Sequence, residues 1–208
     1  MEKKISLRDV MKNRKSIRKY KNKKIPNEVI HEIFELTKTA PSSWNLHHWK
    51  FIIIEKEETK KMVYPIAYNQ EQVATCSHLI VVLGDTEAYK NLEKVYSEQV
   101  KAGYMTEEVK NRFMENIPLH YQLKKSFGIY DAIRNASLAA MQLMLAAKSF
   151  GVDSCPMLSF KEPELKEVLQ IPNRYYPTML ISLGYGDTPA YNTVRLPVEE
   201  LICFDRFY

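Results

Sequence analysis

Residues 130–151 read "YDAIRNASLAAMQLMLAAKSFG", and this stretch decides how the chain is built. It is dominated by Ala, Leu and Met, all strong helix formers. Asp131 stands near its beginning, where a carboxylate suits the positive end of a helix, and Gly151 stands where a helix can end in a left-handed turn. Between Ser137 and Ala147 only Gln142 is strongly polar. Such a helix has little surface to give to water. The expectation is therefore a central helix packed on two sides, with the other elements arranged around it.

The flanking segments supply those elements. "SLRDVMKNR" begins with Ser6 and carries Asp9 three residues later, which predicts a short helix ending near Asn13. "PNEVIHEIFELTKTA" places apolar side chains at Val29, Ile30, Ile33, Phe34 and Leu36, a helical stripe bracketed by Pro26 and Pro41. "WKFIIIE" and "HLIVVLGD" are short β-branched runs with polar flanks and read as buried strands. Further on, "GVDSCPMLSF" reads as a strand, "EPELKEVLQI" as a helix and "YPTMLISLGYG" as a strand, ahead of an irregular tail ending "VRLPVEELICFDRFY". A Lys- and Glu-rich excursion over residues 86–127 reads as helical and peripheral. With no internal repeat and no Gly- or Ser-rich linker, one domain over residues 1–208 is expected, of α+β or three-layer class.

Composition narrows the partners. At 208 residues, 45% apolar and 26% charged, the chain can bury a sizeable core. Its formal charge is +5, yet eight cations and no acid fall within Lys12–Lys24, "KNRKSIRKYKNKK"; subtracting those eight from +5 leaves −3 elsewhere. The basicity is local, whereas a nucleic-acid face is usually spread along a groove or helix. Cys76, Cys155 and Cys203 are scattered, without CxxC or histidines at ligand spacing. That pattern points to reduced thiols in a cytosol and to no metal site. "MEKKISLRDV" lacks the apolar run of a signal peptide, and no stretch is apolar enough to span a membrane. A cytoplasmic protein without membrane or nucleic-acid partners is expected.

Several common chemistries lack their signatures. GxGxxG, the P-loop, GxSxG and HExxH are absent, and Gly184-x-Gly186 is followed by "DTPA". The basic run offers something else. If "RKSIR" is extended, Arg14, Ser16 and Arg18 share one face while Lys15, Ile17 and Lys19 share the other. Two planar guanidiniums flanking a hydroxyl can grip a phosphate. Charge-assisted hydrogen bonds contribute about 1.5–3 kcal/mol each, so three or four, with apolar stacking, reach the roughly 8 kcal/mol of micromolar binding. The plain alternative is a solvated basic turn.

A second stretch, "TAPSSWNLHHWKFIII" from Thr39 to Ile54, forms a loop of short donors and acceptors ahead of a strand, suited to reading an amide edge. Its plain alternative is turn chemistry with an Asn cap. His31, His47 and His48 read as surface or capping residues rather than catalysts. Met141 and Met144 read as core fillers, and Trp44, Tyr121, Phe127 and Tyr130 as packing more than pocket lining. Lys21, Lys23 and Lys24 read as solvated, with enough charge to attract a pyridine nucleotide's phosphates.

Taken together, "RKSIRKY" and "APSSWNLHHW" about twenty-five residues on resemble the opening of the FMN-dependent nitroreductase family, an R-x-S-x-R/K element before an A-P-S-x-x-N-x-Q-P-W element. "AYNQEQVATCSHLIVV", "SLAAMQLMLAAKSFGVDSCPM" and "VRLP" extend the resemblance along nearly the whole chain. It implies a three-layer α/β/α sandwich on a mainly antiparallel sheet, and a homodimer with active sites at the subunit interface. It further implies bound FMN reduced by NAD(P)H, with a nitroaromatic or quinone-type small-molecule acceptor served by a ping-pong mechanism.

By the same resemblance, Arg14, Ser16 and Arg195 match phosphate-binding positions. Arg18 matches a cation beside flavin N1 and O2, and Lys15 approaches the ring or ribityl chain. Pro41, Ser42, Ser43 and Asn45 match a loop reaching the flavin of the other subunit. Asn69 matches a ring-edge residue, with Gln72 where Lys is frequent. Pro156, Met157, Leu158 and Ser159 match the strand end bordering N5, where Leu158-Ser159 replaces Glu-Gly or Gly-Gly; His47-His48 replaces Gln-Pro. No protein acid, base or nucleophile is implied. Two other readings stand beside it: a relative that spends reduced flavin on dehalogenation, flavin fragmentation or azoline oxidation, and a non-enzymatic polyanion- or nucleic-acid-binding protein using Lys12–Lys24.

Overall fold

The computed structural model describes residues 6–123 and 126–207. Helix α1, Leu7–Asn13, starts as its sequence predicts, with the Asp9 amide donating to Ser6 Oγ at 3.2 Å. Helix α2, Asn27–Thr37, follows Pro26. Strand β1, Trp49–Ile54, leads to α3, Glu57–Ile66, and the short α4, Glu71–Thr75. Next come strand β2, His78–Asp85, and the outlying helices α5, Leu92–Lys101, and α6, Glu107–Leu123. The long α7, Phe127–Ser149, then feeds β3, Asp153–Met157; α8, Glu162–Val168, and β4, Tyr175–Gly184, complete the elements.

The sheet runs β1-β2-β4-β3 and every pairing is antiparallel. Ile80 lies opposite Ile181, and Cys155 opposite Ser182. β2 is buried at every position, because it is interior to the sheet and both its faces are covered. A strand covered on both sides needs no apolar-polar alternation, which is why "HLIVVLGD" shows none. β1 departs from the expected buried strand: it forms one edge, leaving Lys50 and Ile53 exposed.

Two apolar layers sandwich the sheet, as expected. On one face α2 and α7 pack Ile33, Ala136, Ala140 and Leu143 against Ile80, Val82 and Ile181. On the other, Val63, Ile66 and Leu165 from α3 and α8 meet Leu79, Val81 and Leu180. A smaller cluster, with Leu46, Leu92, Tyr96 and Ile117, joins α5 and α6 to the loop before β1.

Helix α7 ends before Gly151, whose φ of +71° supplies the left-handed turn its sequence suggests. Its register corrects two expectations. The helix begins at Phe127, so Asp131 stands in the second turn and is buried rather than placed at the terminus. Its outer stripe is left open among the described residues: Met144 is in the core, but Met141 and Leu138 are 42% and 50% exposed.

Candidate functional site

The basic run leaves α1 at Arg14 in extended conformation and continues along β3. Ser16 bridges Ser154 in parallel, and the Ile17 amide donates to the Ser154 carbonyl at 3.1 Å. Tyr20 bridges Gly186. Ile17 and Tyr20 are buried anchors; the Tyr20 hydroxyl reaches Ser182 Oγ at 2.8 Å, and burial pushes its phenol well above the usual range. The two bridges hold the segment extended, with Ile17 and Tyr20 buried and the charged residues between them exposed.

Between the two anchors the segment is open, and Ser16, Arg18 and Lys19 line one cleft with Glu71 and Tyr191. Burial pushes the Cys155 thiol up, while the Arg18 charge, a Ser16 hydrogen bond and the Arg14 charge oppose it. Arg18 also stacks on Tyr191 of the tail, 5.2 Å from the ring centre. Lys15 and Lys19 stay exposed, and Lys19 reaches Glu71 on α4 at 3.5 Å. Lys23 lies over the Tyr185 ring at 4.3 Å and Lys24 pairs with Glu55 at 3.0 Å.

A second group of expected residues borders the first. Beyond β3, Leu158 is 73% exposed and Ser159 is exposed beside it, whereas Met157 is buried and Pro156 half-buried. Gln70 Nε2 donates to the Ser159 carbonyl at 2.9 Å and to the Ala67 carbonyl at 3.0 Å. Its Oε1 accepts from buried Gln72 at 3.1 Å. Tyr68 and Asn69, with φ of 54° and 55°, project from this turn into solvent. Gln70 is a residue the sequence reading missed. It fastens the Asn69–Gln72 turn to the Leu158–Ser159 strand end, and its only signal was its place between Asn69 and Gln72 in "NQEQ".

The Ser-Ser loop faces elsewhere. Ser42 Oγ accepts from the His47 amide at 3.0 Å, while Pro41 and Asn45 are exposed. The Ser43 amide donates to Asn135 Oδ1 at 2.8 Å and its hydroxyl to Asp131 Oδ1 at 3.0 Å, both on α7. Trp44 stacks on His120 and lies tilted against Phe127, and Tyr121 packs edge-on against Phe127, so these aromatics close one cluster between loop and outlying helices. Tyr130 is exposed outside it.

His48 is the main surprise. It is fully buried rather than a surface or capping residue, its Nε2 lying 2.8 Å from Asp131 Oδ2 and 3.0 Å from the Tyr121 hydroxyl. Tyr121 in turn donates to Asp131 Oδ2 at 3.1 Å. The Asp85 amide binds the His48 carbonyl at 2.9 Å, drawing this residue beneath α6 and α7. Burial pushes Asp131 up, but His48, Ser43 and Tyr121 together hold its carboxyl below the ordinary value. Burial and the Asp131 charge hold the Tyr121 phenol far above its own. His31 is exposed, and burial lowers half-buried His47.

Arg195 lies on the tail, which is exposed from Tyr191 to Phe207, and its Nη1 donates to the Val194 carbonyl at 3.1 Å. No hydrogen bond or ion pair among the described residues places it with Arg14 or Ser16. Among the described residues no His, Cys, Asp and Glu group is arranged to hold a metal ion, and no helix is long and apolar enough to cross a membrane.

Fold and site together define an α+β sandwich with a basic strand clipped to the edge of its sheet. Solved proteins share it: a provisionally named nitroreductase of Exiguobacterium sibiricum, solved in complex with FMN, superposes with a TM-score of 0.90 at 35% identity over 97% of this chain and 98% of its own. The nitroreductase family profile matches residues 11–185, and the chain belongs to that family. Bacillus subtilis YodC, provisionally named an NAD(P)H nitroreductase, is 41% identical over 194 residues, 93% of this chain and 96% of that protein. The CLA biosynthesis enone reductase of Lactiplantibacillus plantarum is 28% identical over 91% of this chain and 89% of its own.

Proposed function

We propose that the protein is an FMN-dependent oxidoreductase that takes electrons from NAD(P)H and passes them to a nitroaromatic or quinone-type acceptor, working as a homodimer. The observation that carries this reading is that Ser16, bridged to Ser154 of β3, and Arg18 line one cleft, with Arg14 at the start of the same extended segment. Two guanidiniums and a hydroxyl are the donors a phosphate monoester needs, so the residues present fit the cofactor. The FMN-bound relative with the same fold supports it.

In this reading Arg14 and Ser16 hold the phosphate, with Arg195 brought in by the tail. Lys15 would lie along the ribityl chain, and Arg18 would stabilise negative charge that develops on the ring. Asn69 and Gln72 would border the ring, and the backbone from Pro156 to Ser159 would lie beside it, a contact that would not depend on the side chains of Leu158 and Ser159. Bound FMN supplies hydride acceptance from NAD(P)H and electron delivery to the acceptor. The chain's own residues bind, orient and shield from water, and none serves as acid, base or nucleophile. Nicotinamide leaves before the acceptor enters, which gives ping-pong kinetics.

The subunit arrangement rests on uncovered apolar surface. Leu7, Met11 and Leu36 line a groove of about 470 Å³ with α7, Leu138 and Met141 continue it, and the tail exposes Val194, Phe204 and Phe207. Surfaces of this extent mark contact sites. A second copy covers them and brings its Pro41, Ser42, Ser43 and Asn45 to the cofactor.

The test is a visible spectrum of the purified protein, with the released cofactor identified, followed by NADH and NADPH oxidation with nitro and quinone acceptors. A flavin spectrum and acceptor-dependent oxidation are expected. Protein that stays colourless with added FMN, or binds nucleic acid with steep salt dependence instead, overturns the reading. Similarity to the enone reductase favours one further acceptor class, activated carbon–carbon double bonds, which belongs in the same assay.

A further inference from the structure

We propose that Asp131 is a positioning residue. Together with His48 it locks the Ser42–His47 loop in a strained shape that presents Asn45 to the other subunit's cofactor, and through Tyr121 it ties that loop to α6. This inference rests on the function proposed above only in naming what Asn45 faces.

The loop is strained in a specific way. Trp44, Asn45 and His47 have φ of 51°, 58° and 52°, three left-handed non-glycine residues within four positions. Such conformations persist only where the surroundings over-determine them, and they gather at functional sites. Here the backbone is pinned at several points: Tyr96 donates to the Trp44 carbonyl at 3.1 Å, Asn91 to the Leu46 carbonyl at 2.9 Å, and Ser42 accepts from the His47 amide. What the strain holds outward is Asn45, exposed and without a side-chain hydrogen bond among the described residues.

Asp131 is the hub. Its Oδ1 accepts from Ser43 at 3.0 Å and Asn135 at 2.9 Å, and its Oδ2 from His48 at 2.8 Å and Tyr121 at 3.1 Å. Both oxygens are filled, by donors from the loop, the residue before β1, α6 and α7. Among the described residues, buried His48 Nδ1 has no hydrogen-bond partner. A buried N–H left unpaired is costly, so the ring's proton belongs on Nε2, where it points at Asp131. The histidine is thus a one-sided donor committed to the carboxylate. His48 stands where the family pattern has Pro, which has no side-chain donor.

The test compares His48→Leu, His48→Gln, Tyr121→Phe and Asp131→Asn with the intact protein, by FMN dissociation constant from flavin fluorescence and by amide hydrogen exchange at residues 43–47. Gln offers a donor near the position of Nε2, whereas Leu fills the volume without one. Losing one hydrogen bond to a charged group is expected to raise the FMN dissociation constant about tenfold and to speed loop exchange about as much in His48→Leu and Asp131→Asn, with His48→Gln within about twofold of the intact protein. Tyr121→Phe is expected to speed exchange in both the loop and α6. A merely space-filling His48 predicts the opposite order, with Leu at least as good as Gln, and that result overturns the proposal. So does unchanged loop exchange in His48→Leu. If Asp131→Asn does not fold, the His48 pair and Tyr121→Phe still decide. Intact protein that binds no FMN while His48→Leu still loosens the loop removes the proposed function and keeps the loop lock; tight FMN binding unaffected by every variant, although the loop exchanges faster, overturns the claim that the lock presents Asn45 to the cofactor.

Discussion

Asp85 and Arg174 form a two-point ion pair, Nε to Oδ1 at 2.7 Å and Nη2 to Oδ2 at 2.6 Å, across the end of the sheet where β2 meets β4. The Asp85 side chain is only 3% exposed. Arg174 Nη2 also donates to Asn91 at 3.0 Å, and Asn91 to the Leu46 carbonyl, so the pair anchors the Ser-Ser loop as well. Arg174→Ala leaves a buried carboxylate without its partner, and a loss of about 3–5 kcal/mol is expected. Replacing both residues, Asp85→Asn with Arg174→Met, is expected to cost less than Arg174→Ala alone. Urea unfolding of the three variants checks this, and an Arg174→Ala loss below about 1 kcal/mol contradicts the burial argument.

The two arginines of the basic strand have separable roles under the proposed function. Arg14→Ala and Arg195→Ala are expected to raise the FMN dissociation constant about tenfold to a hundredfold, since each removes a charge-assisted bond to the phosphate. Arg18→Ala is expected to lower the flavin potential and slow reduction by NAD(P)H more than it weakens binding. Titration of FMN fluorescence and a potential measured against reference dyes distinguish these outcomes. Equal affinity losses with unchanged potentials in all three variants contradict the assignment.

Much of this architecture was legible in the chain. Periodicity located the helices and strands, because an apolar stripe of period 3.6 or a short β-branched run leaves few alternatives. The extended reading of "RKSIR" agrees with the Ser16–Ser154 bridge, but Lys19, expected on the opposite face, lines the same cleft as Ser16 and Arg18. What was not legible depended on layers and partners. β1 and β2 have similar composition, yet edge position exposes one and not the other, and only tertiary pairing decides which. His48 and Asp131 are 83 residues apart in numbering, and nothing local announces that one will be buried on the other. Gln70 acts through its two-sided amide, a role that depends on the neighbouring strand end rather than on its own segment.

His78 gives the protein an acid-side weakness. It is buried at the start of β2, and burial, opposed by Glu55, holds its imidazole below the ordinary 6.5. Ser77 Oγ accepts from the Ile25 amide at 2.9 Å, which leaves its own proton for His78 Nδ1 at 3.0 Å and favours the neutral ring. In the unfolded chain the ring takes up a proton as pH falls through about 6.5, while in the native state it resists until lower pH. Between those values the unfolded state binds more protons, so stability rises with pH. The contribution is complete above about 6.5 and is lost below it. His47 is lowered by burial too and adds to the same slope. Denaturant midpoints measured between about pH 5 and pH 8 are expected to show a shallower fall for His78→Gln than for the intact protein; an identical slope excludes His78 as a source.

Gly84 fixes how closely α7 lies on the sheet. A Cβ placed there meets the Ala132 carbonyl carbon, carbonyl oxygen and Cβ, each at 2.9 Å. Two of those atoms are helix backbone, so the contact cannot be relieved by a rotamer change. Gly84→Ala forces α7 away from β2 along its most buried stretch, and overpacking of this kind costs about 1–3 kcal/mol. Trimming the facing residue, Ala132→Gly, removes only the Cβ contact and itself costs about 1 kcal/mol in a helix interior. The double variant is therefore expected to show favourable coupling but incomplete recovery, read from a double-mutant cycle of unfolding free energies. Full recovery in the double variant means that the Ala132 methyl alone sets the spacing; no loss in Gly84→Ala means that the helix sits loosely enough to yield.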